Sequence, residues 1–167
     1  YSVIQISDGG YIVSGRLNSY ACLIKINQYG FEEWNRTYQY SNARSVIQAN
    51  GGGFVFISGN KIVKTDELGI EIWSNLNSGW YGTSLKQTEH GYYIIAGRET
   101  EDDNIFLMKT DELGNRLWVR IFYSNQNDDY YPSVDITDDD GYIVVGTKRD
   151  IIGGVNQIWL IKTNEIG

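Results

Sequence analysis

The residues best suited to chemistry are acidic and fall in three clusters: Glu99, Glu101, Asp102 and Asp103; then Asp128 and Asp129; then Asp138, Asp139 and Asp140. Two carboxyl groups facing each other across a bond can cleave a glycoside, one protonating the leaving oxygen and the other attacking or activating water. None of the clusters has the alternating acids and central glycine of an EF-hand loop, so no metal site is expected. His90 is the only histidine. It stands in a turn signal, at the position that Gly9, Gly52 and Asp140 hold in the other units, without the serine and acid that would make it a general base. Cys22 is the only cysteine, which excludes an internal disulfide and fits a small apolar residue in a strand. No glycine-rich phosphate loop lies between a strand and a helix. No catalytic residue is assigned and no cofactor is expected.

A second group suits binding better than catalysis. Tyr38, Tyr40, Trp80, Tyr81, Tyr123, Tyr130 and Tyr131 are interleaved with Asn42, Asn77, Asn125, Asn127, Asp128 and Asp129. Aromatic faces beside amides and carboxylates stack on sugar rings, and the same mixture supplies rigid anchors and adaptable polar contacts to a protein. The candidate ligand-binding residues are Tyr40, Trp80, Tyr81, Tyr123, Asp128, Tyr130 and Tyr131. A net charge of −7 argues against a nucleic-acid partner, which needs a basic face. No apolar run approaches the ~18 residues that would span a bilayer, so membrane insertion is not expected.

What must hold these residues is a repeat. Asp8-Gly9-Gly10-Tyr11-Ile12-Val13-Ser14-Gly15 returns as a glycine-rich turn and apolar strand ending at Gly59, Gly97 and Gly146. A second phrase follows each time: Leu23-Ile24-Lys25, Ile62-Val63-Lys64, Leu107-Met108-Lys109 and Leu160-Ile161-Lys162, each closing on a turn that ends in Gly30, Gly69, Gly114 or Gly167. Trp34, Trp73 and Trp118 each lie four residues beyond that glycine. The serine that opens each unit recurs after 43, 39 and 49 residues. A period of this size means an array of one supersecondary unit.

Each unit reads as four short strands, A to D, rich in Ile, Val, Tyr and Trp and separated by turn residues. No stretch has a sustained helical period. Four-stranded antiparallel units of this length in tandem are propeller blades. The expected fold is therefore all-β: a β-propeller of about four blades, near residues 2–44, 45–83, 84–132 and 133–167, the last without its Trp strand. Further blades or partner chains are expected to complete the ring. Antiparallel order puts the A–B and C–D turns on one rim and the B–C and D–A connections on the other. The first rim is short and uniform. The second holds the length variation, in 16–20, 60–61, 98–104 and 147–157 and in 38–44, 76–83 and 122–132, and variable loops on a rigid frame usually carry binding. Residues present in every unit, such as Lys25, Lys64, Lys109 and Lys162 and the three tryptophans, are assigned to the scaffold: each lysine pairs with a nearby acid or lies along the tryptophan, and each tryptophan packs blade on blade.

These phrases resemble the DGGYIIAG…LIKTDxxGNxxW repeats of secreted and surface proteins of bacteria and archaea, and their second half is similar to quinoprotein-type blades. The resemblance covers nearly the whole chain. It implies blade architecture and an extracellular or cell-surface setting. It brings no catalytic residues, because the paired cysteines of the quinoprotein dehydrogenases are absent. The chain is read as a non-catalytic interaction or structural module binding a protein or a glycan through the variable rim. The alternatives are a carbohydrate-active enzyme using the loop carboxylates and an architectural subunit of a surface layer or filament.

Overall fold

In the computed structural model, residues 1–123, 131–149 and 156–167 are described, and among them every regular element is a strand. The first sheet contains β1 (Ser2–Gln5), β2 (Tyr11–Leu17), β3 (Tyr20–Ile26) and β4 (Glu32–Tyr38). The second contains β5 (Ala43–Gln48), β6 (Phe54–Ser58), β7 (Lys61–Thr65) and β8 (Glu71–Leu76). The third contains β9 (Trp80–Gln87), β10 (Tyr93–Glu99), β11 (Ile105–Thr110) and β12 (Arg116–Phe122). The fourth contains β13 (Ser133–Ile136), β14 (Tyr142–Arg149) and β15 (Asn156–Thr163). Neighbours in sequence are neighbours in each sheet, and all pairs are antiparallel. This is the β-propeller class with four-stranded blades and a short last one, as the repeat predicts.

The chain forms two compact units, Tyr1–Leu76 and Asn77–Gly167, each of two sheets. In the first unit Ile12, Ala21 and Leu23 pack against Val46, Phe54, Phe56 and Val63. In the second, Ile94, Ala96, Ile105 and Leu107 meet Val134, Tyr142 and Val144. Burying each large side chain of this kind contributes about 1.5–3 kcal/mol. The alternation along β2 puts Ile12 and Ser14 on one face and Val13 on the other, which is why short strands can present two packing faces.

The turns form for the reasons their residues suggest. One side-chain oxygen of Asp66 accepts bonds from the Leu68 and Ile70 amides at 2.9 and 2.8 Å. Asp111 does the same for Leu113 and Asn115, and Asn27 for Tyr29 and Phe31. Each turn then ends on a glycine with positive φ, 76° at Gly69 and 87° at Gly167. Those two glycines have a second duty. A Cβ on Gly69 would lie 2.9 Å from the Trp34 ring and from Arg36, and one on Gly167 would lie 2.9 Å from the Trp118 ring and from Arg120. In each unit, then, a Trp-x-Arg strand clamps the glycine turn of the following sheet. Tyr38 adds a hydrogen bond from its hydroxyl to the Gly69 carbonyl at 2.7 Å, and Arg120 donates to the Gly167 and Ile166 carbonyls.

The recurring lysines behave as scaffold. Lys25 and Lys109 stand directly opposite Trp34 and Trp118 on the neighbouring strand. Lys25 pairs with Asp8 at 2.7 Å and Glu33 at 2.8 Å, and Lys162 pairs with Asp139 at 2.9 Å. Lys64 donates to the Gly52 carbonyl. The turn register around His90 differs by one residue from the sequence reading. Strand pairing aligns Tyr11, Phe54, Tyr93 and Tyr142, so His90 stands where Asp8, Gly51 and Asp139 stand, and Gly91, with φ of 87°, takes the place of Gly9. With no aspartate there, Lys109 lies over the Tyr92 ring at 5.0 Å.

Candidate binding surface

In the first unit the B–C and D–A connections draw together at one end of the sheets. The Ala21 amide at the start of β3 donates to the Tyr40 carbonyl at 2.9 Å, and Ser58 at the end of β6 donates to the Ser41 carbonyl at 2.9 Å. Tyr40 is therefore held in its loop by the backbone. Its hydroxyl also bonds to the Glu71 carboxylate at 2.9 Å and lies 3.1 Å from the Ser74 hydroxyl, and Lys61 stands 4.7 Å over its ring. The Ser74 bond favours the phenolate, but burial and the Glu71 charge outweigh it, and the phenol titrates above its ordinary range. A ring packed on the core and tied at its hydroxyl is a brace. Tyr40 is half-buried, held both by its backbone and at its hydroxyl.

In the second unit the structure corrects the placement of two candidates. Trp80 and Tyr81 do not lie in a loop spanning 76–83. They open β9, pairing with Glu99 and Arg98 of β10, and only 77–79 remain as the turn. The rings of Trp80 and Phe106, in the same sheet, meet edge to face with their centroids 5.2 Å apart. Tyr81 is half-buried, with the Arg98 guanidinium 5.4 Å above its ring, and Arg98 is in turn paired with Asp103. Asn104 bonds the Glu99 carboxylate, and the Thr100 amide donates to the Gly79 carbonyl at 3.0 Å. The first acidic cluster is thus partly consumed by structure: Glu99 and Asp103 hold a turn.

Two candidates remain open to solvent. Tyr123 is 76 % exposed just beyond β12, and Tyr131 is 58 % exposed just before Pro132. Pro132 is anchored, since its carbonyl accepts a bond from the Thr83 hydroxyl at 2.6 Å. Asp128 and Tyr130 lie outside the described residues. In the first unit Leu17 and Tyr20, at the β2–β3 turn, are about half exposed, and the sequence reading did not single them out. Their signal was available: both flank Asn18-Ser19, a turn pair that must carry its neighbours into solvent. Arg98 was missed because its value lies in a cross-strand partner, Tyr81, that only the register identifies.

The opposite end of the second unit holds a polar cleft of about 620 Å³ lined by Thr88, His90, Tyr92, Lys109, Asp138 and Tyr142, among others. Asp139 beside it is held well below the usual carboxylate range by bonds from Thr137 and Lys162. No group of three or more His, Cys, Asp or Glu among the described residues is placed to hold a metal ion. Among the described residues no helix is long and apolar enough to cross a membrane.

No family model matches the chain, and no curated protein matches its sequence. Solved structures do match its fold. The WD40 β-propeller domain of Doa1 superposes with a TM-score of 0.67 at 14 % identity, over 96 % of this chain and 50 % of that one. A protein of unknown function from Bacteroides caccae gives 0.62 at 12 % identity, over 92 % and 57 %. A putative exo-β-1,3-galactanase from Bifidobacterium bifidum s17 gives 0.59 at 13 % identity, over 96 % and 65 %. The chain spans about half to two thirds of these structures' own length. At such identities the likeness carries the fold, which hosts many functions.

Proposed function

We propose that the chain is a non-catalytic interaction module of an extracellular or cell-surface protein, and that it binds a protein partner through the variable loops of its second unit. The observation that carries this reading is the pair of exposed tyrosines, Tyr123 and Tyr131, at loop ends whose neighbours are fixed. Tyr131 sits beside the Thr83–Pro132 anchor, and Tyr81 under Arg98 adds a further aromatic edge at the same end of β9–β12. Rigid aromatic anchors at the end of a packed sheet bind at low entropic cost. The likeness to the WD40 domain of Doa1 supports an interaction module by analogy of fold. The extracellular setting rests on the resemblance to surface repeats.

The same surface suits a glycan, and the putative exo-galactanase of similar fold is named for a glycan substrate. The test is a triple substitution of Tyr81, Tyr123 and Tyr131 by Ala, with circular dichroism to establish an unchanged fold. Cross-linking capture from intact cells and a glycan array are then run on both proteins. Capture of a protein that the variant loses supports the proposal. A glycan signal that the variant loses assigns the surface to sugars instead. Capture and array signals equal in the two proteins would sink the assignment of this surface.

A further inference from the structure

The third sheet departs from a pairing that the other three keep, and it does so beside the polar cleft of the second unit. The lysine of the second repeated phrase holds one register throughout. Lys25 stands opposite Ile12, Lys64 opposite Val55, Lys109 opposite Ile94 and Lys162 opposite Ile143. In three sheets its ammonium meets an oxygen of the A–B turn: Asp8 at 2.7 Å, Asp139 at 2.9 Å, and the Gly52 carbonyl. In the third sheet His90 holds the place of that aspartate. Lys109 is half-buried, and among the described residues its ammonium has the Tyr92 ring 5.0 Å away but no carboxylate or carbonyl oxygen. A half-buried ammonium without an acceptor is short of a partner.

His90 and Lys109 line a cleft of about 620 Å³ whose lining also includes Asp138 and Asp140 of the fourth sheet. That size suits a small ligand. Both turns that supply the lining are fixed. The Gly91 amide donates to the Thr88 carbonyl at 3.0 Å, and the Tyr92 amide donates to the Thr88 hydroxyl at 3.1 Å. In the fourth sheet the Asp140 amide donates to the Thr137 carbonyl at 3.0 Å. Asp139 is taken by Lys162, and Asp138 and Asp140 on either side of it are exposed. Asp140 has a φ of 60°, where strand register places Gly9, Gly52 and Gly91 in the other sheets. A carboxylate stands there in a conformation that suits glycine.

We propose that this cleft binds a small zwitterion, a free amino acid or a short peptide. Its carboxylate takes the place of the missing aspartate beside Lys109 and His90, and its ammonium meets Asp138 and Asp140. Glu89 and Glu165 also line the cleft, so an anion with no positive group would be repelled. A cation with no negative group would leave Lys109 without an acceptor. A ligand carrying both charges satisfies both groups, and turns that are already fixed bind it at low ordering cost. This site is separate from the tyrosine surface and does not depend on it.

His90 is the only histidine, so its ring protons report on the cleft in a proton NMR spectrum. The probes are triglycine, N-acetyltriglycine and triglycine amide, each titrated to about 10 mM, a concentration that reveals weak binding. Triglycine should shift the His90 signals saturably, and each capped form should bind roughly tenfold more weakly. Saturation-transfer NMR on the triglycine signals then compares variants. His90→Asp restores the pairing of the first and fourth sheets, so it should abolish triglycine binding without lowering the melting temperature. Asp140→Gly installs the residue that the other turns carry, so it should weaken binding and leave the melting temperature nearly unchanged. No saturable shift with any of the three probes would overturn the proposal. Equal binding of triglycine and either capped form would also overturn it, because one charge would then go unread. So would undiminished binding by His90→Asp, because the ligand would then lie elsewhere.

Discussion

Single residues in this chain are constrained by what stands on them, and glycines show it most sharply. Gly69 needs both its positive φ and its missing Cβ, because the Trp34 ring and Arg36 occupy the space. Gly69→Ala is therefore expected to cost more than the ~1 kcal/mol of a positive-φ glycine alone, reaching about 2–4 kcal/mol in denaturant unfolding once the overpacking is added. A loss below about 1 kcal/mol would mean the clamp is soft. Tyr40→Phe keeps the ring under Lys61 and removes only the bonds to Glu71 and Ser74, so about 0.5–1.5 kcal/mol should be lost. If the same substitution abolished partner capture with no loss of stability, Tyr40 would be a contact residue and not a brace. Acid should act through Asp8. The Lys25 ammonium and the Gly10 amide hold its carboxyl below the ordinary value of about 3.9. A group depressed in the folded state contributes stability that is complete above its unfolded pKa and lost as pH falls through its folded one. Asp8→Asn should therefore flatten the fall in melting temperature below about pH 4 and leave its value relative to wild type nearly constant above pH 6.

At the scale of elements, much of the fold could be read before any coordinates because the repeat checks itself. Four copies of an apolar strand after a glycine turn, and of a lysine strand before an Asp or Asn turn, fixed strand order, turn positions and the scaffold role of Trp34 and Trp118. The candidate site was less legible. Trp80 and Tyr81 follow the turn signal Asn77-Ser78-Gly79 closely enough to look like loop, yet cross-strand pairing with Arg98 and Glu99 draws them into β9. Pairing is a property of two strands, and a tract read alone does not contain it. His90 shifted for the same reason, since glycine runs of unequal make-up around 51–53 leave the alignment free by one residue until strand register fixes it. The register at Ala96–Gly97 also carries a bulge, where the Tyr81 carbonyl would lie 2.1 Å from a Cβ on Gly97. Gly97→Ala must push Tyr81 and its Arg98 partner out of place. The expected result is weaker partner binding together with about 1–3 kcal/mol of lost stability. Loss of stability with undiminished binding would remove Tyr81 from the binding surface.

For the whole molecule, charge is the property that decides partners at long range. The chain has 21 acidic and 14 basic side chains. Several of the basic groups are already spent within their own unit: Lys25 on Asp8 and Glu33, Lys86 on Asp135, Arg98 on Asp103, Lys162 on Asp139, and Arg120 on backbone carbonyls. Binding to a polyanion needs several cations free to displace condensed counterions, and each contact made would steepen the dependence on salt. Here the unspent charge is mostly negative, which favours solubility and repels phosphate backbones and sulfated chains alike. The chain should therefore pass unretained through heparin and single-stranded DNA columns even at about 50 mM salt, where electrostatic binding is strongest. Retention that weakens steeply as salt rises would show that basic side chains gather on one face despite the net charge, and would return nucleic acid to the partners that the tyrosine surface must be tested against.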